Sequence, residues 1–355
     1  MTRYLLAGGG TAGHVNPLLS LADAIVSANS DDQVWALGTK EGLEASLVPQ
    51  RGYELLTVER LPFPRKPSRY ALTFPFRFLK AIGDAKRHLR EHKIDVLVGF
   101  GGYACAPAYL AAKGLGIPSV VHEANALPGW ANKLGAKSAK AVGVAFKSTH
   151  LPKAEFVGMP LRREIEVLAN GFDKESARLA LGLDPDTVTL LVTGGSLGAK
   201  RINETIDASR RVLSAAGIQV LHIMGGRSDL AEVREKDYVR IAYCDRMDEA
   251  IAASSFAVSR AGSSTVSEFA AVGLPAAYVP YPVGNGEQRL NVAELVAAEG
   301  GLMVLDKDFT PEYVASTLVP LISNSRALSD MAAKAKKVGV SDGTARLLAL
   351  VKGVL

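Results

Sequence analysis

The chain has 355 residues, 48% hydrophobic and 22% charged, with a formal net charge of +5. That length is enough for about two domains, and the composition is ordinary for a globular protein, which excludes a disordered or fibrous chain. Cys105 and Cys244 stand alone, without a CxxC or Cys/His cluster, which argues against a zinc site or disulfide framework. No apolar run reaches the roughly 18 residues of a membrane-spanning helix, and Met1 leads straight into a strand with no signal-peptide core. The mild basic excess suits nucleic acid, an anionic membrane surface or phosphorylated ligands, so its location must decide.

Tyr4 to Ala7 is predicted as a buried strand, followed by a glycine loop and a helix from about Pro17. Gly8, Gly10 and Gly13 fit G-x-G-x-x-G in the strand–turn–helix setting that gives the pattern meaning. A dinucleotide site also asks for an acid at the end of the second strand. Here that strand, Gln33 to Leu37, ends in Gly38-Thr39, which weakens the NAD reading. His14 closes the loop at the mouth of the strand. A histidine titrates at about 6.5, which suits a general base near neutrality; a capping or packing role fits the same position.

Glu41 to Arg51 is expected to be helical and Glu54 to Val58 extended. From Leu61 to Lys80 the chain mixes prolines, aromatics and cations. The prolines exclude regular helix over the first part, and a helix is expected beyond Pro75, with Phe78, Leu79, Ile82 and Leu89 on one apolar face, of which Ile82 and Leu89 are expected in the core. Phe63, Tyr70, Leu72, Phe74 and Phe76 are too many for a proline-broken loop to bury. Ringed by Arg65, Lys66, Arg69, Arg77 and Lys80, they suit docking on an anionic leaflet, although single-stranded nucleic acid uses the same mix.

Asp95 to Phe100 is the next strand, ending at Gly101-Gly102-Tyr103. Pro118 to Val121 is another, ending in His122-Glu123-Ala124-Asn125, a polar quartet at a carboxyl edge where sheet ligands bind. Strands 140–144 and 154–157 lead to Gly158-Met159-Pro160-Leu161-Arg162, and a domain boundary is expected between about 158 and 165. The pattern then restarts with the strand Val188 to Val192, a second glycine loop from Thr193 to Ala199, and a helix at about Arg201. Further strands follow at 220–224, 239–242, 256–259 and 276–279, an alternation that specifies a parallel sheet.

The most informative stretch is Phe256 to Glu268: an apolar strand, a tight glycine turn and a hydroxyl-rich helix start. A helix N-terminus carries unpaired N–H groups and a positive dipole end, so it attracts phosphate. Thr265-x-x-Glu268 also fits a capping box that merely starts a helix. Ser196, Arg260, the Gly262–Thr265 turn and Gln288 are expected at one sheet edge, and that concentration favours the phosphate-and-sugar reading. The expected architecture is α/β: two Rossmann-like parallel-sheet domains facing across a cleft, spanning 1–160 and 161–340, with 341–355 as a helix packing back on the first.

Taken in order, these motifs resemble the MurG family of bacterial transferases (glycosyltransferase family 28), over nearly the whole chain. They are Gly9-Gly10-Thr11-Ala12-Gly13-His14, Gly101-Gly102-Tyr103, His122 to Asn125, Gly158 to Arg162, Gly194 to Ala199, Arg260-Ala261-Gly262 with Glu268, and Gln288 with Asn291. The resemblance implies a GT-B fold and an inverting, metal-independent transfer of N-acetylglucosamine from UDP-N-acetylglucosamine to the muramyl C4 hydroxyl of lipid I, giving lipid II, without a cofactor. It implies that Glu268 holds the ribose, that Ser196 with Ser263, Ser264 and Thr265 holds the diphosphate, and that Arg260 helps the diphosphate leave. Arg162 and Gln288 would line the donor site, Thr11, Gly13 and Asn125 would reach the donor, and main chain near Cys244 would read the uracil. Gly101, Gly102, Tyr103 and Glu123 would form the acceptor side, with His14 as base and Glu123 as alternative. The implied partners are the UDP-sugar, the undecaprenyl-linked muramyl-pentapeptide and the anionic inner leaflet, with no nucleic acid. The implied location is peripheral, on the cytoplasmic face of the membrane, with Phe63, Arg65, Lys66, Arg69, Tyr70, Phe74 and Phe76 docking. Ala12, Ala124 and Glu287 depart from the family pattern. A UDP-sugar epimerase is the nearest rival, since a fold does not fix a function.

Overall fold

Short apolar runs that end in glycine or polar residues build two parallel sheets. The first sheet comprises β1 (Arg3–Ala7), β2 (Gln33–Gly38), β3 (Glu54–Thr57), β4 (Val96–Gly99), β5 (Ser119–Glu123), β6 (Ala141–Val144) and β7 (Ala154–Phe156), in the order β3-β2-β1-β4-β5-β6-β7. The second comprises β8 (Thr189–Thr193), β9 (Gln219–Ile223), β10 (Val233–Glu235), β11 (Tyr238–Ile241), β12 (Phe256–Ser259), β13 (Ala276–Tyr278) and β14 (Gly301–Met303), in the order β10-β11-β9-β8-β12-β13-β14. This computed structural model describes residues 1–64 and 66–355. Arg65, one of the expected docking cations, lies outside the described residues.

The chain divides into one unit made of Met1–Arg162 with Asp342–Leu355 and another made of Arg163–Ser341. Both sheets have Rossmann-like strand order, and in each the order reverses between two strands: β1 and β4 in the first, β8 and β12 in the second. Parallel sheets place ligands outside the carboxyl ends of the strands at such switch points. The helices that matter are α1 (Ala12–Ala28), α2 (Glu44–Gln50), α3 (Arg69–Glu91), α4 (Lys200–Ala208), α5 (Ser263–Val272) and α6 (Gly343–Lys352). Leu347 and Val351 of α6 join Leu18, Leu21, Ile25 and Val157 in the core on one face of the first sheet, so the end of the chain completes the unit that began it.

Three elements differ from expectation. The three-residue strands β10 and β14 are absent from the sequence reading, and β10 pairs antiparallel with β11, an edge exception to the all-parallel pattern. Helix α3 starts at Arg69, not after Pro75. Ser68 caps it by accepting from the Ala71 amide at 3.2 Å. The proline costs about 3 kcal/mol inside a helix, offset here by the aromatic ladder Tyr70–Phe74–Phe78 along the same helix. Leu89 is buried as expected, together with Ala81 and Ala85, and Ile82 packs partly buried against the same core, while Leu79 is 64% exposed.

Each unit holds one buried histidine that its surroundings keep neutral. His122 donates through Nε2 to the Gly158 carbonyl at 3.1 Å, and burial lowers its pKa from 6.5 to about 4. His222 lies between Tyr238 Oη (2.8 Å) and Asn203 Oδ1 (3.1 Å), and burial lowers its pKa to about 3. Both folded values lie below the unfolded one, so this stability is complete above about pH 6.5 and is lost as pH falls towards about 4 and then 3. The slope is about 1.4 kcal/mol per pH unit for each ring. Hydrogen exchange of β5 and β9 amides at pH 7 and pH 5 is expected to show this loss in each unit. In His222→Gln the loss at β9 is expected to flatten while that at β5 persists.

Candidate functional site

At the switch point of the first sheet, Ala7 of β1 pairs with Gly99 of β4, so the loops leaving the two strands emerge side by side. His14 sits in the first turn of α1 with Nδ1 3.0 Å from the Gly9 carbonyl. A carbonyl oxygen only accepts, so Nδ1 carries a proton, and the ring in its neutral form presents the Nε2 lone pair. That nitrogen borders Gly101, where φ is +102° and a methyl group would lie 2.9 Å from Nε2. Gly102 (φ +90°) crosses so near the first loop that a methyl there would lie 2.5 Å from the Gly9 carbonyl oxygen. Only glycine tolerates these approaches. Tyr103 follows, with the Arg60 guanidinium 5.4 Å above its ring. The expected base and the Gly101–Tyr103 turn are therefore brought together, with Thr11 and Gly13 at the start of α1.

Glu123 is 2% exposed, and it accepts from the Asn125 amide (2.9 Å), the Gly129 amide (3.0 Å) and Asn132 Nδ2 (3.0 Å). Such a carboxylate shapes the loop after β5. Asn132 extends the network by donating to the His122 carbonyl and accepting from Tyr109 Oη. Asn125 is the half-buried residue this scaffold presents. Cys105 is also structural: its Sγ lies 3.1 Å from both the Gly101 amide and the Ala7 carbonyl, and burial pushes its pKa up to about 12.

The NAD reading is closed by Glu44, which no sequence signal marked. Its carboxylate fills the space between the ends of β1 and β2, accepting from the Gly10 amide at 2.7 Å and the Thr39 amide at 2.9 Å. A dinucleotide would have to displace that carboxylate. Among the described residues, the group with metal-ligand composition is His88 and Glu91 on α3 with His92 at its C-cap. There His88 Nε2 lies 3.3 Å from the Thr57 carbonyl and His92 packs against Trp35.

In the second unit Thr193 of β8 pairs with Ser259 of β12, and the loops that follow border a cavity of about 990 Å³. Of the expected donor residues, Ser196, Arg260, Thr265 and Gln288 line it, as do Lys200, Arg227 and Asp306. The capping-box reading of Thr265 and Glu268 fails: the N-cap is Gly262, which has no side chain to cap with, and α5 begins at Ser263. Its first-turn N–H groups are left open beside the cavity. The Ser264 hydroxyl is buried without a partner. Arg260 is held by Asp306 at 2.5 Å and by the Val279 carbonyl at 3.1 Å, with Tyr281 stacked 5.6 Å away. Gln288 accepts from the Tyr281 amide at 2.9 Å, and Asn291 donates to the Ala261 carbonyl, so both fix the surrounding loops. Ser263, Glu268 and Cys244 do not line the cavity: Ser263 and Cys244 are buried, and Glu268 is half-buried on the second turn of α5. Arg162 is the last residue of the first unit's main segment.

The second unit also holds a turn that sequence reading passed over. Gly225-Gly226 follows β9 as the other glycine turns follow their strands, and Arg227 beyond it lines the cavity. The Gly226 amide donates to the Ser196 carbonyl at 3.0 Å, which ties the two turns together.

The expected docking segment divides into two layers. Tyr70 and Phe74 are half-buried: Tyr70 Oη donates to the Pro62 carbonyl at 2.7 Å, and Phe74 packs on Phe63 and Phe78, with Trp130 beside both of these. They form the base of the exposed patch, because the helix begins early enough to give them an inward side. The outward side carries Leu72 (77% exposed), Phe76 (76%) and Leu79, with Phe63 (57%) on the preceding loop. Lys66, Arg69 and Lys80 are exposed around it, while Arg77 is paired with Glu59. No described helix is long and apolar enough to cross a membrane.

Comparison with known proteins accords with both halves of this geometry. Residues 4–144 match the glycosyltransferase family 28 N-terminal domain and residues 189–347 the glycosyltransferase family 28 C-terminal domain. The chain is 54% identical over 353 residues to the UDP-N-acetylglucosamine–N-acetylmuramyl-(pentapeptide) pyrophosphoryl-undecaprenol N-acetylglucosamine transferase of Clavibacter sepedonicus, covering 99% of this chain and 96% of that protein. It is 53% identical to the protein of the same name from Leifsonia xyli subsp. xyli, over 99% and 98% of the two chains. Among solved structures it resembles the MurG of Acinetobacter baumannii, with a TM-score of 0.80 at 26% identity, over 99% of this chain and all of that one (100%). The chain belongs to glycosyltransferase family 28.

Proposed function

We propose that the chain transfers N-acetylglucosamine from UDP-N-acetylglucosamine to the C4 hydroxyl of an undecaprenyl-linked muramyl-pentapeptide, turning lipid I into lipid II. The observation that carries this reading is 54% identity along 99% of the chain to a relative named for that reaction. The geometry supports it independently, since each sheet's switch point carries half of the required chemistry. His14 takes the proton of the acceptor hydroxyl on Nε2 as the hydroxyl oxygen bonds to the donor's anomeric carbon. The bond from that carbon to UDP breaks on the opposite face, its electron pair leaves with the diphosphate, and configuration inverts. The open N–H groups and dipole of α5 stabilise the departing charge. Ser196, Ser264, Thr265 and Gln288 hold the diphosphate and sugar in this reading, Glu268 the ribose, and main chain near Cys244 the uracil. Arg162, Asn125, Thr11 and Gly13 complete the donor's surroundings, and an arriving diphosphate competes with Asp306 for Arg260.

Incubation with labelled UDP-N-acetylglucosamine and a lipid-linked muramyl acceptor tests the reading. Acceptor-dependent transfer that persists in EDTA is the expected result. Turnover of the UDP-sugar with no acceptor present would instead mark an epimerase and overturn it.

The exposed stripe Leu72–Phe76–Leu79 with Phe63, flanked by Lys66, Arg69 and Lys80, supports peripheral docking on the anionic inner leaflet. Replacing Phe76 and Leu79 together with serine is expected to weaken binding to anionic vesicles by roughly tenfold or more and to spare turnover of a short-chain soluble acceptor. Vesicle sedimentation with no change in binding would remove this face from consideration.

A further inference from the structure

We infer that Glu44 is the positioning residue for His14, acting through a single peptide plane. The inference rests on the reading of His14 as the base. The Gly9–Gly10 peptide has its two polar ends engaged on opposite sides: the Gly10 N–H donates to Glu44 Oε2 at 2.7 Å, and the Gly9 carbonyl lies 3.0 Å from His14 Nδ1. A trans peptide is rigid and points its N–H and C=O in opposite directions. Glu44, peptide and imidazole therefore form a continuous chain from carboxylate to Nδ1–H. It does for His14 what a carboxylate bonded directly to a catalytic histidine does elsewhere, fixing the tautomer that leaves Nε2 free to accept a proton. Hydrogen bonds in series also polarise one another.

The cradle around Glu44 is built for a carboxylate. Its side chain is 1% exposed, and Oε1 accepts from both the Thr39 amide and the Thr39 hydroxyl at 2.9 Å. Gly9, Gly38 and Gly42 surround it so closely that a methyl on them would lie 2.3, 2.4 and 2.0 Å from its atoms. Gly10 has φ +90°, so the plane lies in a conformation open to glycine and is held there from both ends. The Gly10 amide, the Thr39 amide and the Thr39 hydroxyl all donate to the carboxylate. Glutamine at this position keeps the volume but turns an NH₂ group towards one of those donors, which frees or rotates the plane.

The test has two independent arms. In the wild-type protein, ¹⁵N NMR of the His14 ring at a pH where it is neutral is expected to show Nδ1–H; a dominant Nε2–H form overturns the relay without any variant. In kinetics, E44Q is expected to lower kcat by roughly 10- to 10²-fold, the cost of a misplaced catalytic group, with the donor KM little changed. In an H14A background the same substitution is expected to cost almost nothing further, because the relay ends at His14. A kcat within twofold of wild type, or an equal loss in both backgrounds, overturns the inference. Near-normal kcat in H14A alone overturns the base assignment, and the ring spectrum of E44Q beside that of the wild type still decides whether Glu44 sets the tautomer. Should E44Q fail to fold, the wild-type spectrum carries the test.

Discussion

His14→Ala is expected to lower kcat by about 10²- to 10⁴-fold, the range for loss of a positioned general base. The ring is placed for proton transfer and for little else. Its Nδ1–H is bound to the Gly9 carbonyl, its Nε2 faces the Gly101 turn, and a methyl at Gly101 would lie 2.9 Å from that nitrogen. Alanine removes the acceptor for the hydroxyl proton and one hydrogen bond worth about 1 kcal/mol, so the protein should remain folded. Donor affinity should stay close to wild type, because Ser196, Arg260, Thr265 and Gln288 line a cavity in the other unit and Thr11 and Gly13 are left in place. The decisive measurement is steady-state kcat beside a calorimetric titration with UDP-N-acetylglucosamine. Loss of kcat with retained binding supports the base. Loss of both would move His14 from chemistry to architecture, and a kcat within tenfold of wild type would leave the reaction without its base.

The two sheets were readable from sequence because buried parallel strands are short apolar runs, and β1, β4, β8 and β12 are followed within two or three residues by glycines that let loops approach one another. The same signal located His14, the Gly101–Tyr103 turn, Ser196 and the start of α5. It did not separate residues that face a ligand from those that hold the loop. Glu123 stands in a polar quartet at a strand end, which reads as a site. Only the three-dimensional positions of the Gly129 amide and Asn132 show its carboxylate to be engaged by its own surroundings. Glu44 is the converse case. A charged residue opening a seven-residue helix reads as solvent-exposed, and its cradle is made by Gly9, Gly38 and Gly42, two of them on separate loops.

Helix α3 departs from expectation for a related reason. Pro75 argues against helix locally, but the Ser68 cap and the stacking of Phe74 on Phe78 carry the helix through it. That shift of start rotates Leu72, Phe76 and Leu79 outward and Phe74 inward. Phe63, Leu72 and Phe76 are exposed as the sequence suggests, while Tyr70 and Phe74 turn partly inward and Leu79 outward. Likewise the capping-box pattern at Thr265 and Glu268 is real as a spacing, but the helix begins two residues before Thr265, so the pattern falls out of register with the cap.

Gly198→Ala and Gly195→Ala are expected to separate sharply, although both positions have positive φ (+82° and +85°). At Gly195 a methyl group meets nothing within 4 Å, so the cost is backbone strain alone, about 1 kcal/mol. At Gly198 the methyl would lie 2.2 Å from the Met224 carbonyl oxygen, and that carbonyl is already pinned by Asn203 Nδ2 at 3.0 Å. The opposing turn cannot retreat easily, since a methyl at Gly225 would itself lie 2.1 Å from the Gly198 nitrogen and the Gly226 amide is bonded to Ser196. Overpacking adds about 1–3 kcal/mol to the strain and must be relieved by separating the Ser196 loop from the Gly225 turn. Ser196, and Arg227 just beyond the Gly225 turn, line the cavity proposed to hold the donor, so the expected result is a roughly 10- to 10²-fold weaker Kd for UDP-N-acetylglucosamine in Gly198→Ala, at 1.4 kcal/mol per decade, against a change of a few-fold in Gly195→Ala. Calorimetric titration of the two variants side by side measures the difference. Equal affinities would mean that the paired turns do not hold the donor loop, and the diphosphate would have to be bound by the start of α5 alone.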